Sequence, residues 1–215
     1  MFQTPTLYAI IDPSRIDVAD APDLTAAVEQ TTRAILDGGA GVIQLRAKDT
    51  TSRETYELAT YLAAMCAEYD VPFIVNDRLD IALAAGADGV HVGPEDVPVG
   101  AIRAVVDDDF IIGGSAGTPQ RANKFEEQGA DYLGVGAIYE ARSSKPDASP
   151  PRGPEAIRDV VDVVDIPVVG IGGIDASNAA AVVEAGASGV AVISALLDAG
   201  DPEGAARDLR RAVRQ

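Results

Sequence analysis

The chain has 215 residues, of which 47% are hydrophobic and 24% are charged, and this suits a single domain, residues 1–215, with a full hydrophobic core. Aspartate and glutamate total 34 against 17 lysines and arginines, so the formal net charge is −17. A surface this acidic repels phosphate backbones and anionic lipid, so we expect neither nucleic acid nor a membrane as a partner. The scarcity of lysine beside so many carboxylates favours a halophilic protein, with an acidic mesophilic protein as the alternative.

The single cysteine and the first residues favour a cytoplasmic protein. Cys66 lies in an apolar helical stretch and is expected to be a buried, unreactive thiol. The first strand-like run begins at Thr6 without a basic segment and apolar leader before it, and no apolar run approaches the length of a membrane span. The sequence leaves open whether the protein forms a homo-oligomer.

A Gly-Ala pair that precedes a short β-branched run recurs along the chain, at Gly39, Gly86, Gly129 and Gly186. Glycine suits a helix C-cap with positive φ, and an unbroken apolar run suits a strand buried on both faces. The predicted strands start near Leu7, Val42, Phe73, Gly89, Phe110, Tyr132, Val168 and Val190. Helices are predicted at 24–36, 53–68, 119–128, 178–184 and 202–213. This alternation predicts a single parallel (β/α)8 TIM barrel, with a doubly wound open sheet as the alternative.

The second strand leads into a set of polar side chains at the end of the barrel that carries the chemistry in this architecture. It reads Gln44-Leu45-Arg46-Ala47-Lys48, and alternation places Gln44, Arg46 and Lys48 on one face. A planar guanidinium, a mobile ammonium and a neutral amide together predict an anion clamp. An outward, solvated face is the weaker alternative, because outward strand residues of a barrel meet helices.

The third and fourth strands end in oxygen ligands. Asn76 and Asp77 follow one strand, and Asp96 follows the next. Mg²⁺ prefers a few protein oxygens together with phosphate oxygens of a substrate. These residues beside the clamp therefore predict Mg²⁺ held against a diphosphate. Each aspartate alone would instead suit a helix cap, at a helix beginning at Arg78 or Val97.

The seventh and eighth strands end in a glycine-rich turn, 170–174, and in the segment 192–195. Exposed backbone N–H groups at this point of a barrel predict a monophosphate site. Ser115 after strand five and the loop 142–145 after strand six also lie where a ligand would, although such a loop is often merely exposed. His91, the sole histidine, lies within strand four and is interpreted as structural rather than catalytic.

Two phosphate sites, one with Mg²⁺, favour one class of chemistry. The sequence presents no pairing of a nucleophile or cysteine with a histidine. We therefore expect a diphosphate leaving group to depart under electrostatic stabilisation rather than by proton transfer.

These motifs resemble those of the thiamine-phosphate synthase (thiamine-phosphate pyrophosphorylase) family over nearly the whole chain. Each motif alone is weak, but the joint pattern is specific. The matching segments are Gln44-Leu45-Arg46-Ala47-Lys48, Val75-Asn76-Asp77-Arg78, 86–93, Glu95-Asp96 and Ile171-Gly172-Gly173-Ile174.

The resemblance implies a transferase that joins 4-amino-2-methyl-5-hydroxymethylpyrimidine diphosphate to a thiazole phosphate, giving thiamine phosphate and diphosphate. It implies that the pyrimidine diphosphate is bound by Gln44, Leu45, Arg46, Ala47, Lys48, Asn76, Ser115 and Lys145. It implies that the thiazole phosphate is bound by Arg142, Ser143, Ser144, Gly173, Ile193 and Ser194. Mg²⁺ would be held by Asp77 and Asp96, and Arg46, Ser115 and Lys145 would contribute to catalysis.

Three departures from the family pattern lie mainly on the thiazole side. The loop after strand six, 140–145, is one residue longer and contains Arg142, while Pro94 and Gly117 stand where the family often has Gln and His. A thiazole tautomerase is the nearest rival; it would need no diphosphate clamp but would need an acid or base near Ser115, where the sequence offers no histidine. A non-catalytic ligand-binding paralogue and another phosphate-binding barrel, such as one of tryptophan biosynthesis, remain alternatives.

Overall fold

A computed structural model describes residues 5–19, 21–140 and 150–214, and in these residues eight parallel strands close into a barrel in chain order. The strands are β1 Thr6–Ile11, β2 Val42–Leu45, β3 Phe73–Asn76, β4 Gly89–Val92, β5 Ile111–Ser115, β6 Tyr132–Val135, β7 Val168–Ile171 and β8 Gly189–Val192. Closure comes from β8, which pairs with β1 in parallel. The predicted TIM barrel is confirmed, and the doubly wound alternative is wrong.

Helices connect the strands on the outside of the barrel. They are α1 Leu24–Asp37, α2 Ser52–Glu68, α3 Leu79–Ala85, α4 Val99–Arg103, α5 Pro119–Glu127, α6 Glu155–Val161, α7 Ala179–Glu184, α8 Ser194–Leu197 and α9 Pro202–Ala212, with a 3₁₀ turn at Pro13–Arg15. The predicted strand starts and the bounds of the five predicted helices agree with these to within one residue. The shortest helices span little more than one turn, too few residues for a helical period to show in sequence.

The recurring Gly-Ala pairs end helices as predicted. All four glycines have positive φ, which ends the helix and turns the chain into the next strand: Gly39, Gly86, Gly129 and Gly186.

Polar side chains at the amino ends of the strands serve the fold. The Asp88 carboxylate accepts from the backbone N–H of Phe73 at 2.8 Å, and the Asp131 carboxylate accepts from that of Ile112 at 2.7 Å. Each aspartate thus satisfies a backbone donor at the start of a neighbouring strand. In this architecture the reactive residues lie at the opposite face, at the carboxyl-terminal ends of the strands.

Two apolar clusters stabilise the barrel. The larger lies between the strands and the surrounding helices, and includes Cys66, whose burial raises its thiol pKa to about 12. The smaller fills the barrel interior and consists of Tyr8, Ile10, Val42, Ile74, Tyr132, Val169 and Ala191. Cys66 is therefore the buried, unreactive thiol that the sequence predicts. In the part of the chain that the structure describes, no helix has both the length and the apolar character needed to cross a membrane.

Candidate active site

A cavity of about 190 Å³ opens above the interior cluster, toward the carboxyl ends of the strands. Its polar residues lie in or directly after β1 to β6, and most of its apolar residues lie in or directly after β7 and β8. The polar residues are Tyr8, Gln44, Arg46, Asn76, His91, Ser115 and Tyr132. The others are Ile10, Gly134, Val169, Ile171, Ala191 and Ile193. Residues in or directly after all eight strands therefore meet around one space.

The clamp predicted on β2 divides between the cavity and its rim. Gln44 is 3% exposed and Arg46 lines the cavity directly after the strand. Arg46 donates to the Asp12 carboxylate at 2.7 Å, a partner at the end of β1 that sequence reasoning missed. Lys48 turns to the carboxylate of Asp77. That pair is exposed enough to contribute little stability, so Lys48 can turn to a ligand at small cost.

Neither aspartate of the predicted metal site caps a helix. Asp77 has a φ of 63°, unusual for a residue with a Cβ, and its N–H donates to the backbone oxygen of His91 at 2.8 Å. Helix α3 begins at Leu79 without a side-chain cap. The Asp96 carboxylate accepts from the Gly93 N–H at 2.7 Å, and α4 begins further on, after Pro98. Both capping alternatives are therefore wrong.

The residues present fit a magnesium ion that is completed by substrate. Asp77 and Asp96 follow the neighbouring strands β3 and β4, and the Asn76 amide ends β3. Among the described residues no group of three or more His, Cys, Asp or Glu could hold a metal by itself. Mg²⁺ commonly uses one or two carboxylates and takes its remaining oxygens from phosphate and water. The donor set suits such a shared site and does not suit a closed protein cage.

A chain of hydrogen bonds crosses the floor of the cavity, and we call it the floor chain. Gln44 Nε2 donates to the Tyr8 hydroxyl at 2.7 Å, and the hydroxyl oxygens of Tyr8 and Tyr132 are 2.6 Å apart. The Tyr132 hydroxyl lies 2.9 Å from His91 Nδ1, and His91 Nε2 lies 2.9 Å from Ser115 Oγ. The floor chain thus joins five residues from five different strands.

Burial keeps the floor chain uncharged. Loss of hydration lowers the pKa of His91 to about 4, although the nearby Asp96 carboxylate acts in the opposite direction. Loss of hydration also raises the pKa of both Tyr8 and Tyr132 above its usual value. At neutral pH the cavity floor therefore offers hydrogen bonds without net charge.

Much of this floor was not predicted from the sequence. The expectation that no histidine lies near Ser115 is wrong, because His91 contacts that hydroxyl. Tyr8 and Tyr132 are absent from the residues predicted for the site, because they lie inside strands and the predicted residues lie at strand ends. The alternation of side chains along a strand could have predicted the position of Tyr8. Tyr8 lies on the same strand face as Ile10, and both side chains point into the barrel.

A second, smaller cavity of about 40 Å³ lies between the ends of β7 and β8, lined among others by Gly173, Ile193 and Ser194. Gly172 and Gly173 both have positive φ, 101° and 63°. A Cβ on Gly173 would lie 2.6 Å from the backbone oxygen of Glu140, so only glycine fits there. The predicted loop residues Arg142, Ser143, Ser144 and Lys145 lie outside the described residues.

Comparison with known proteins agrees with this architecture. A family model described as thiamine monophosphate synthase matches residues 7–196. The thiamine-phosphate synthase of Natronomonas pharaonis is 49% identical over 185 residues, covering 86% of this chain and 86% of that protein. The enzyme of the same name from Caldanaerobacter subterraneus subsp. tengcongensis is 42% identical over 214 residues, covering 98% and 94% respectively. The solved thiamine phosphate pyrophosphorylase from Pyrococcus furiosus has a TM-score of 0.84 and 39% identity, covering 97% of this chain and 95% of that one.

Proposed function

The chain belongs to the thiamine monophosphate synthase family and is a transferase of thiamine biosynthesis, and on this premise we propose that it joins 4-amino-2-methyl-5-hydroxymethylpyrimidine diphosphate to a thiazole phosphate. The products are thiamine phosphate and diphosphate. The resemblance stated from the sequence motifs is confirmed at the level of the family. The substrates, the metal and the roles of individual residues are our proposal.

The observation that carries the proposal is a cavity with an uncharged floor and with charged groups at its mouth. The volume of about 190 Å³ equals that of roughly six waters at about 30 Å³ each. This size suits a single small ring. Amide and hydroxyl groups of Gln44 and Ser115 face this space and suit the amino group and ring nitrogens of an aminopyrimidine. Arg46 and Lys48 at the rim suit the attached diphosphate.

The proposed reaction breaks the bond between the methylene carbon and the diphosphate oxygen, and the diphosphate leaves with the electron pair. Arg46 and Lys48 stabilise the negative charge that develops on it. The thiazole nitrogen then supplies its lone pair to the methylene carbon. A neutral His91 suits this step, since a protonated ring in the floor would repel the positive charge on the pyrimidine methylene. No residue is required to remove a proton.

Mg²⁺, when bound, would neutralise charge on the diphosphate and make it a better leaving group. Asp77 and Asp96, assisted by Asn76, are the residues that would hold it. Lys48 would exchange its pairing with Asp77 for the diphosphate when substrate arrives, which the exposed geometry of the pair allows.

The phosphate group of the thiazole substrate is assigned to the wall of the small cavity between β7 and β8. Among the described residues, the N–H groups of Gly172 and Gly173 have no acceptor, so they can serve a phosphate. Ile193 and Ser194 complete this wall. Arg142, Ser143, Ser144 and Lys145 are proposed to contribute from the loop after β6.

Substitution of Asp77 tests the metal assignment. Asp77→Asn keeps a side chain that tolerates positive φ and removes only the charge. We expect Mg²⁺-dependent turnover to fall roughly a hundredfold, the scale of losing one preorganised charge, with thermal unfolding little changed. Asp80→Asn is the matched control, because Asp80 is an exposed carboxylate whose side chain pairs with Arg78. Equal Mg²⁺ dependence of turnover in Asp77→Asn and the unmodified protein would overturn the assignment.

A thiazole tautomerase is the second candidate, favoured by the contact between His91 and Ser115 that the sequence analysis did not foresee. The low pKa of His91 makes its imidazole a poor proton carrier near neutral pH. The two activities differ in their requirements. A tautomerase converts the thiazole phosphate without any pyrimidine diphosphate, and such conversion would favour it over the synthase.

A further inference from the structure

Donor and acceptor are fixed at only one end of the floor chain, in the link between Gln44 and Tyr8. Gln44 Nε2 can only donate, so the oxygen of Tyr8 accepts from it. Every later link joins two groups that can each donate or accept: the tyrosine hydroxyls, the imidazole and the serine hydroxyl. The protons of these links can therefore run toward Ser115 or away from it, and the direction decides what Ser115 offers to a ligand.

In the first direction each group accepts once and donates once. Tyr8 donates to Tyr132, Tyr132 donates to His91 Nδ1, and the proton on His91 Nε2 is donated to Ser115 Oγ. The Ser115 hydroxyl then keeps its own proton for a ligand. Such head-to-tail chains are strengthened because each bond polarises the next, especially away from water.

In the second direction His91 Nδ1 donates to the Tyr132 oxygen, so the proton of either Tyr132 or Tyr8 must go outside the floor chain. His91 then carries its proton on Nδ1, and Ser115 donates to Nε2. Ser115 would offer a ligand only a lone pair. This arrangement interrupts the cooperative sequence at one of the two tyrosines, because two donors then converge on a single hydroxyl oxygen.

We propose that Tyr8 and Tyr132 are positioning residues that hold His91 as its Nε2–H tautomer and so leave the Ser115 hydroxyl to donate to an acceptor atom of the ligand. The chemical class that fits is a heteroaromatic ring with an unprotonated nitrogen at this point. The assignment of that nitrogen to the pyrimidine substrate rests on the proposed function, whereas the assignment of the His91 tautomer does not depend on it.

Local packing fixes the tyrosine that contacts His91. The Tyr132 ring covers Gly113 so closely that a Cβ there would lie 2.2 Å from the ring carbon that bears the hydroxyl. The His91 and Tyr132 rings are also in contact, with centroids 5.5 Å apart. Removing the Tyr132 hydroxyl alone therefore leaves the ring in place and removes the hydrogen bonds of that hydroxyl to Tyr8 and to His91.

Nuclear magnetic resonance tests the tautomer directly, because His91 is the only histidine in the chain. Protein labelled with ¹⁵N-histidine should show the Nε2–H tautomer at neutral pH without any ligand. In Tyr132→Phe, His91 Nδ1 loses its donor, and we expect a mixture of tautomers. The Nδ1–H form in the unmodified protein, or an unchanged single tautomer in Tyr132→Phe, would overturn the proposal.

Kinetics test what the tautomer does for the ligand. In Tyr132→Phe we expect KM for the pyrimidine diphosphate to rise roughly threefold to tenfold, the effect of one misdirected hydrogen bond, while KM for the thiazole phosphate stays unchanged. Tyr69→Phe is the control, since its hydroxyl bonds Asp37 at the protein surface. Equal changes for both substrates would refute the link to the ligand. Absence of any thiamine phosphate would refute the proposed function instead, and the ¹⁵N spectra would still decide the tautomer.

Discussion

Acidification should destabilise the fold through His91, and the size of the effect follows from its burial. The unfolded chain takes up a proton at the ordinary histidine pKa of about 6.5, whereas the folded protein does so only at about 4. The unfolded state therefore binds more protons between these values, and stability falls as pH decreases through that window. At about 1.4 kcal/mol per pKa unit, the loss is about 2 kcal/mol at pH 5 and approaches about 3 kcal/mol at pH 4.

Urea unfolding at pH 7.5 and pH 5 measures this loss, in molar KCl so that repulsion among the many carboxylates is screened. His91→Gln is the reference, because glutamine places an amide near the position of Nε2 and does not titrate in this range. The unmodified protein should lose about 2 kcal/mol more than His91→Gln between the two pH values. The same loss in both proteins, or a His91 resonance that titrates near pH 6.5 in the folded protein, would refute the reasoning.

Two further predictions concern packing and the clamp. Gly113→Ala should lower the free energy of unfolding in urea by about 1–3 kcal/mol, because its Cβ would overlap the Tyr132 ring. Gly100→Ala should raise the free energy of unfolding by about 0.5–1 kcal/mol, since this Cβ lies in a helix and meets only ordinary contacts. Destabilisation of equal size in both variants would contradict the packing described here. Asp12→Asn should raise KM for the pyrimidine diphosphate about tenfold, because Arg46 loses its charged partner. Urea unfolding checks that the variant is folded. An unchanged KM would show that Arg46 does not need Asp12 to hold it in position.

The barrel was predictable because its signals are local. Each strand is a short apolar run, and the Gly-Ala pairs mark helix ends whose positive φ glycine allows. Parallel closure then brings strand ends together wherever they lie in the sequence, so Gln44, Asn76 and Ser115 could be expected around one space. The short helices were not predictable, because one or two turns show no clear period.

The floor of the cavity could not be predicted in the same way, because it depends on which strand faces which across the barrel. Tyr8 and Tyr132 are 124 residues apart, and no local pattern pairs them. The same holds for Lys48 and Asp77, which sequence reasoning assigned to separate ligands and which the fold pairs. Such contacts follow from strand stagger, a property of the whole barrel.

The central claim is tested most directly by mixing both proposed substrates with the protein and Mg²⁺, and measuring thiamine phosphate and diphosphate. The assay is run in low salt and in molar KCl, with EDTA as the control, because the acidic composition favours a requirement for salt. The account predicts equal amounts of the two products, formed with Mg²⁺ and abolished by EDTA. Release of diphosphate without thiamine phosphate, or no turnover by folded protein at either salt concentration, would contradict it.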